Sequence, residues 1–239
     1  MMSSIKMVLV LTTITLSTYA QPPQNDPHPL APARILAQNG DYPAAISVFE
    51  NVRNIHPEAI SPLDGDQFGA VYAVARDYEG VQDHARWMFK KFPLPQRIEN
   101  AERTAKSYLT YPESANKEIA AHALKFTTFA AENAGGQWVN WFYTAHALAL
   151  YRNGKYNESI EWARKSVGDQ DPKLTSFALP IQAMSEYAIG NKKAARNLLR
   201  QAQVDFDELP LPGTPEYAES WSDILTSKSV IEEARRKLN

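Results

Sequence analysis

From about residue 31 onward, hydrophobic and polar positions alternate in stretches of helical period separated by short breaks. No run of alternating or continuous β-branched residues interrupts that pattern, so it predicts an all-α fold with no sheet. Four breaks carry a glycine followed by a helical stretch: "GDYPAAISVFENV" from Gly40, "GVQDHARWMFKKF" from Gly80, "GKYNESIEWARKS" from Gly154 and "GNKKAARNLLRQA" from Gly190. Five residues after each glycine stands a small side chain: Ala45, Ala85, Ser159 and Ala195. Nine residues on are Phe49, Phe89, Ala163 and Leu199, and twelve on are Val52, Phe92, Ser166 and Ala202. Four registers that agree at three positions make an internal repeat.

The physics is that of a helical hairpin. Glycine takes the left-handed conformation that closes one helix before the next begins. The small residue lies where two helices cross, and the later positions share its face at helical spacing. A single hairpin cannot bury its own apolar face, so hairpins are expected to stack as an α-solenoid. The register is lost through residues 93–137, where the pattern gives two helices around a turn at 111–114. Pro210, Pro212 and Pro215 then break the chain ahead of a last helix at about 216–237, whose polar "IEEARRKLN" suits a terminal cap.

These positions resemble the tetratricopeptide repeat, whose second helix carries alanine, an aromatic, alanine and a closing proline. Residues 40–57 match that half, with Pro57 closing. Residues 143–172 match through Tyr143, Ala147, Tyr156, Ser159 and Pro172, and residues 179–202 through Leu179, Ala183, Ala195, Leu199 and Ala202. The Gly80 unit matches less well, with Val81 and Gln82 in place of the usual acidic-aromatic pair. From Arg86 to Trp221 the order "AERTAKSYLTYPES", "ALALYRNGKYNESIEWARKS", "GNKKAARNLL" and a late "SWSDILTSKSVIEEARRKL" resembles a narrower family. That family is the repeat region found behind planctomycete-type bacterial serine/threonine kinase domains and in free-standing exported proteins. Ala85 and Ser107 stand where that family often has cysteine, and no kinase motif precedes the repeats. The resemblance therefore implies an interaction region without phosphoryl transfer.

Composition narrows the setting. A formal net charge of −2 over 239 residues gives no footprint for nucleic acid or an anionic membrane. Residues 1–20 have one cation, Lys6, an apolar stretch from Met7 to about Leu16, and small residues at Thr18 and Ala20. That is the plan of a secretory signal cleaved after Ala20, with a core too short to span a bilayer. A proline-rich linker at 21–30 leads into a helical domain at 31–239. With no cysteine, the exported chain relies on its apolar core, as suits a bacterial periplasm or exterior.

Candidate chemistry is sparse, and no catalytic, cofactor or metal residue is assigned. No two of His28, His56, His84, His122 and His146 stand three or four apart, and no P-loop, G-x-G-x-x-G or G-x-S-x-G occurs. "PLDGDQ", with Asp64 and Asp66, lacks the further ligands of a calcium loop and reads as a turn and helix start. The Asn157-Glu158-Ser159 sequon places its serine at a helix crossing. Aromatics are the stronger signal: Trp138, Trp141, Phe142 and Tyr143 cluster. At the repeat's spacing, a concave groove would be lined by Trp141, Thr144, Leu148, Tyr151 and Arg152, then by Phe177, Met184 and Tyr187. The expected function is non-enzymatic recognition of a protein or peptide in that groove. Two alternatives stay open: a cell-envelope hydrolase or sugar-binding protein with converging carboxylates, and a homo-oligomer that buries the aromatic surface.

Overall fold

The computed structural model describes residues 28–111, 116–168 and 171–239. The expected signal sequence, the linker up to residue 27, and most of the turn placed at 111–114 lie outside the described residues. Among the described residues the chain is all-helical, with no strand. The α-helices are α1 (Ala31–Gln38), α2 (Tyr42–Ile55), α3 (Pro62–Ala75), α4 (Tyr78–Lys91), α5 (Ile98–Leu109), α6 (Lys117–Glu132), α7 (Val139–Arg152), α8 (Tyr156–Ser166), α9 (Pro172–Ala188), α10 (Lys192–Asp207) and α11 (Pro215–Leu238). None of them is long and apolar enough to cross a membrane.

Three of the repeat glycines do what the spacing requires. Gly40, Gly154 and Gly190 have φ of +81°, +74° and +93°, and each closes a helix. The amide after each reaches back five residues: Asp41 to the Leu36 carbonyl, Lys155 to Leu150 and Asn191 to Glu186. The fourth glycine does not. Gly80 lies inside α4, and the left-handed residue of that unit is Arg76, with φ +58°. The Asp77 amide there reaches back to Tyr72, completing the same motif. The register of this unit therefore starts one helical turn earlier than the sequence pattern indicated. Counted from Arg76, the three positions are Val81, Ala85 and Met88, all fully buried like Ala45 and Phe49 of the first unit. Gly80 is small for another reason: a Cβ there would strike the Asp77 carboxylate, which caps α4 by accepting from the Gly80 amide, and the Tyr72 ring.

Every α-helix packs on its successor, and α3, α5, α7 and α9 also pack in series. Phe49 and Phe68 stack with centroids 4.2 Å apart, and Tyr72 and His84 close round them. Each such buried ring stabilises the fold by about 2 kcal/mol. Ser159 is fully buried and donates to the Ala147 carbonyl at 2.8 Å, tying α8 to α7.

The last helix departs from the expected cap. Besides α10, α11 packs on α9 and α3, which are far apart in sequence. Trp221, Ile224, Leu225, Val230 and Ile231 are all buried. Its polar residues turn inward as well. Ser227 meets Ser176 of α9 at 3.1 Å, and Ser229 donates to the Thr110 carbonyl at the end of α5 at 2.9 Å. Small hydroxyls let helix backbones approach closely while keeping their own hydrogen bonds satisfied, so α11 is an internal element with polar residues on its buried faces.

Candidate functional site

The eight groove positions expected from the spacing do not form one open surface. Thr144, Leu148, Phe177 and Met184 are buried to 1% exposure or less. The hydroxyl of Thr144 is satisfied by the Asn140 carbonyl at 2.9 Å. These four are packing residues, because the surface that they would offer is covered by neighbouring helices. The Arg152 side chain is 3% exposed and makes a bidentate pair with Glu233 of α11, both contacts at 2.6 Å. It also donates to the carbonyls of Leu109 and Tyr111 at 3.1 and 3.0 Å. Arg152 is thus an internal tie and presents nothing to a partner in this arrangement. Tyr151 is half-buried beside Tyr156, and Tyr187 is half-buried beside Lys192. Trp141 lines an open cavity.

That cavity, of about 380 Å³, lies between α3, α5, the start of α7 and the first turns of α11. Its walls are helical stripes. Leu63, Asp66 and Gln67 lie on one face of α3, Glu102, Arg103 and Lys106 on one face of α5, and Trp138, Trp141 and Phe142 around the start of α7. The bracket between Ser61 and Asp64, each side chain accepting from the other's backbone, fixes where α3 begins. Asp64 is held in addition by Arg34 at 2.5 Å, so "PLDGDQ" opens a helix. At Gly69 a Cβ would collide with the backbone of Ser107, so α3 and α5 touch main chain to main chain. One turn from that contact, Asp66 comes within reach of Lys106.

Lys106 Nζ lies 3.0 Å from Asp66 Oδ2 and 3.1 Å from Glu102 Oε1, with all three side chains less than a tenth exposed. Two carboxylates and one ammonium leave a negative charge in excess, and Asp223 of α11 adds its field. Burial pushes Asp66 up to about 7; Lys106 opposes that rise, and Glu102 and Asp223 reinforce it. Burial works against the Lys106 charge, but Asp66, Glu102 and Asp223 outweigh it and raise its pKa. Its ammonium also lies 5.6 Å from the centre of the Trp141 ring. Asp66 Oδ1 and Gln67 Oε1, adjacent on α3, are buried without a hydrogen-bond partner. Beside them, Leu63 and Trp138 line the cavity with large apolar side chains 42% and 51% exposed.

The histidines take no part. His84 is fully buried and donates to the Gly65 carbonyl at 2.8 Å; burial lowers its pKa to about 4. His146 meets Thr127 at 3.2 Å and the Trp162 ring edge-on, and burial lowers it to about 4 as well. No group of three potential metal ligands occurs among the described residues.

Sequence reasoning found the two tryptophans and missed Asp66, Glu102, Lys106 and Asp223. The signal on α5 was present: Glu99, Glu102, Arg103 and Lys106 recur at spacings of three and four, a charged stripe on one face of a predicted helix. What the stripe could not show is that this face turns inward. Comparison with models of known families, with curated proteins and with solved structures gives no match to this chain.

Proposed function

We propose that the protein is a non-enzymatic binding module, a tetratricopeptide-like solenoid of five hairpins, α1/α2 to α9/α10, with α11 lodged along the inner helices. The left-handed turns after α1, α3, α7 and α9 and the serial packing of α3, α5, α7 and α9 support this reading. On it, α11 already occupies the face that related repeats offer to peptides, and recognition moves to the cavity at its N-terminal end. Export to a bacterial periplasm or exterior, as the first twenty residues suggest, belongs to the same proposal.

One observation carries the binding role. A formed cavity is lined by exposed apolar side chains, Leu63 and Trp138, and by Asp66 and Gln67, each with a buried oxygen that has no hydrogen-bond partner. Buried polar atoms are costly to leave unpaired, and exposed aromatics are common anchors in recognition. A random-peptide display library panned on residues 21–239, beside a Trp138→Ala variant, tests it. Sequences enriched on the wild type and lost on the folded variant support the reading; a selection that enriches nothing sinks it.

A second reading, a cell-envelope sugar-binding protein or hydrolase, draws on the same walls, since tryptophans beside carboxylates also suit carbohydrate. A glycan array that lights up where the peptide library fails would favour it.

A further inference from the structure

Two residues on the cavity wall carry buried atoms without a hydrogen-bond partner, and these say what an occupant must supply. Asp66 Oδ1 and Gln67 Oε1 are both acceptors, so the ligand must bring donors. The Asp66 residue is 7% exposed, and its other oxygen is taken by Lys106. Among the described residues six carboxylates line the cavity against three cations, so the field favours a positive group. The walls already hold an ammonium near an aromatic face, that of Lys106 by Trp141. On the cavity wall, Leu63 and Trp138 offer apolar surface to whatever stem leads to that cation.

We infer that the cavity takes the ammonium group of a lysine side chain from a partner peptide, its stem against Leu63 and Trp138 and its head at Asp66 and Gln67. The inference rests on the reading of the cavity as a peptide site. A compact ammonium with three donors meets two adjacent acceptors and an aromatic face together. Its arrival also completes the ionisation of Asp66, which burial holds near neutrality. Protons are therefore released on binding at pH 7.

The test uses acetyl-Gly-Gly-Lys-Gly-Gly-amide, its norleucine counterpart and cadaverine, titrated against residues 21–239 by calorimetry and tryptophan fluorescence. The lysine peptide should bind about tenfold more tightly than the norleucine peptide, a margin expected for a partly buried cation over an aromatic beside a carboxylate. Its heat at pH 7 should differ between phosphate and Tris as the released proton is taken up. Asp66→Asn should erase the preference. Gln67→Met leaves the buried charges in place, so it keeps the test alive if the first variant does not fold; it should weaken lysine binding and leave norleucine unchanged. Equal binding of the two peptides overturns the ammonium inference while the peptide site stands. Cadaverine binding better than the lysine peptide overturns the partner-peptide source. If no peptide of any sequence gives a heat or perturbs the tryptophan fluorescence, the peptide-site reading falls too.

Discussion

Two buried ion clusters, built from the same kinds of side chain, differ in how their last valences are used. In the first, Arg152 spends its donors on both oxygens of Glu233 and on two carbonyls, and Lys237 stands 3.9 Å from the same carboxylate, so no negative charge is left over. In the second, Lys106 faces two carboxylates, one charge is left over, an oxygen has no partner, and a cavity opens beside it. The closed cluster joins α7 to α11 and to the end of α5; the open one joins α3 to α5 and looks onto solvent. Burial penalises ions in both places, so only the completeness of the hydrogen bonding separates a structural tie from a site with capacity to bind.

The largest effect should come from breaking the closed cluster. Glu233→Gln leaves a buried guanidinium without its counter-charge and should cost about 3 kcal/mol or more. Urea unfolding should show it as a drop in midpoint at constant slope. The open cluster should respond unequally. Lys106→Met strands Asp66 and Glu102 and should cost about 2 kcal/mol at pH 8, less at pH 6 as Asp66 takes a proton. Asp66→Asn removes the excess charge and should stay within about 1 kcal/mol of wild type. Equal losses in Asp66→Asn and Glu233→Gln would erase the distinction drawn between the clusters.

Acid sets the open cluster against two buried histidines that belong to neither cluster. His84 and His146 titrate near 4 in the folded chain and near 6.5 unfolded, so the unfolded state binds more protons and stability falls as pH drops from 6.5 to 4. Asp66 works the other way. Its folded pKa of about 7 lies above the ordinary 3.8, so the folded state takes a proton first and gains stability as pH falls through that range. Urea midpoints measured from pH 7 to pH 4.5 should therefore decline, and more steeply in Asp66→Asn than in wild type. A shallower decline in that variant would refute the raised Asp66 pKa.

What was legible in the sequence was local. Gly40, Gly154 and Gly190 mark their turns because glycine is the residue that most readily accepts the left-handed conformation. The Arg76 turn was misread because a bulky residue occupies that conformation, and the next glycine, Gly80, lies four residues on. A shift of one turn keeps the same helix face, which is why Ala85 is buried in either register. Arg76→Gly relieves the strain and should raise stability by up to about 1 kcal/mol by thermal unfolding. The course of α11 was not legible. Its place depends on Ser227 meeting Ser176 and Glu233 meeting Arg152, pairs that no spacing along one helix reveals. Three of the expected groove residues are buried for that reason: Leu148, Phe177 and Met184 have an apolar pattern that fits a groove or a core equally, and the helices packed over them bury them.

The smallest effect on stability should accompany a large effect on binding. Trp138 is half exposed, and Trp138→Ala should change stability by no more than about 0.5 kcal/mol. Trp141 is half-buried beside Phe177, 6.3 Å between ring centres, so its truncation disturbs the fold as well and cannot isolate recognition. If Trp138 is the anchor at the cavity, the alanine variant should melt with the wild type yet lose about 2 kcal/mol of peptide binding. Unchanged affinity in that variant would move recognition away from the open cluster. The unsatisfied oxygens of Asp66 and Gln67 would then be a cost the fold carries to keep α3 and α5 in contact at Gly69.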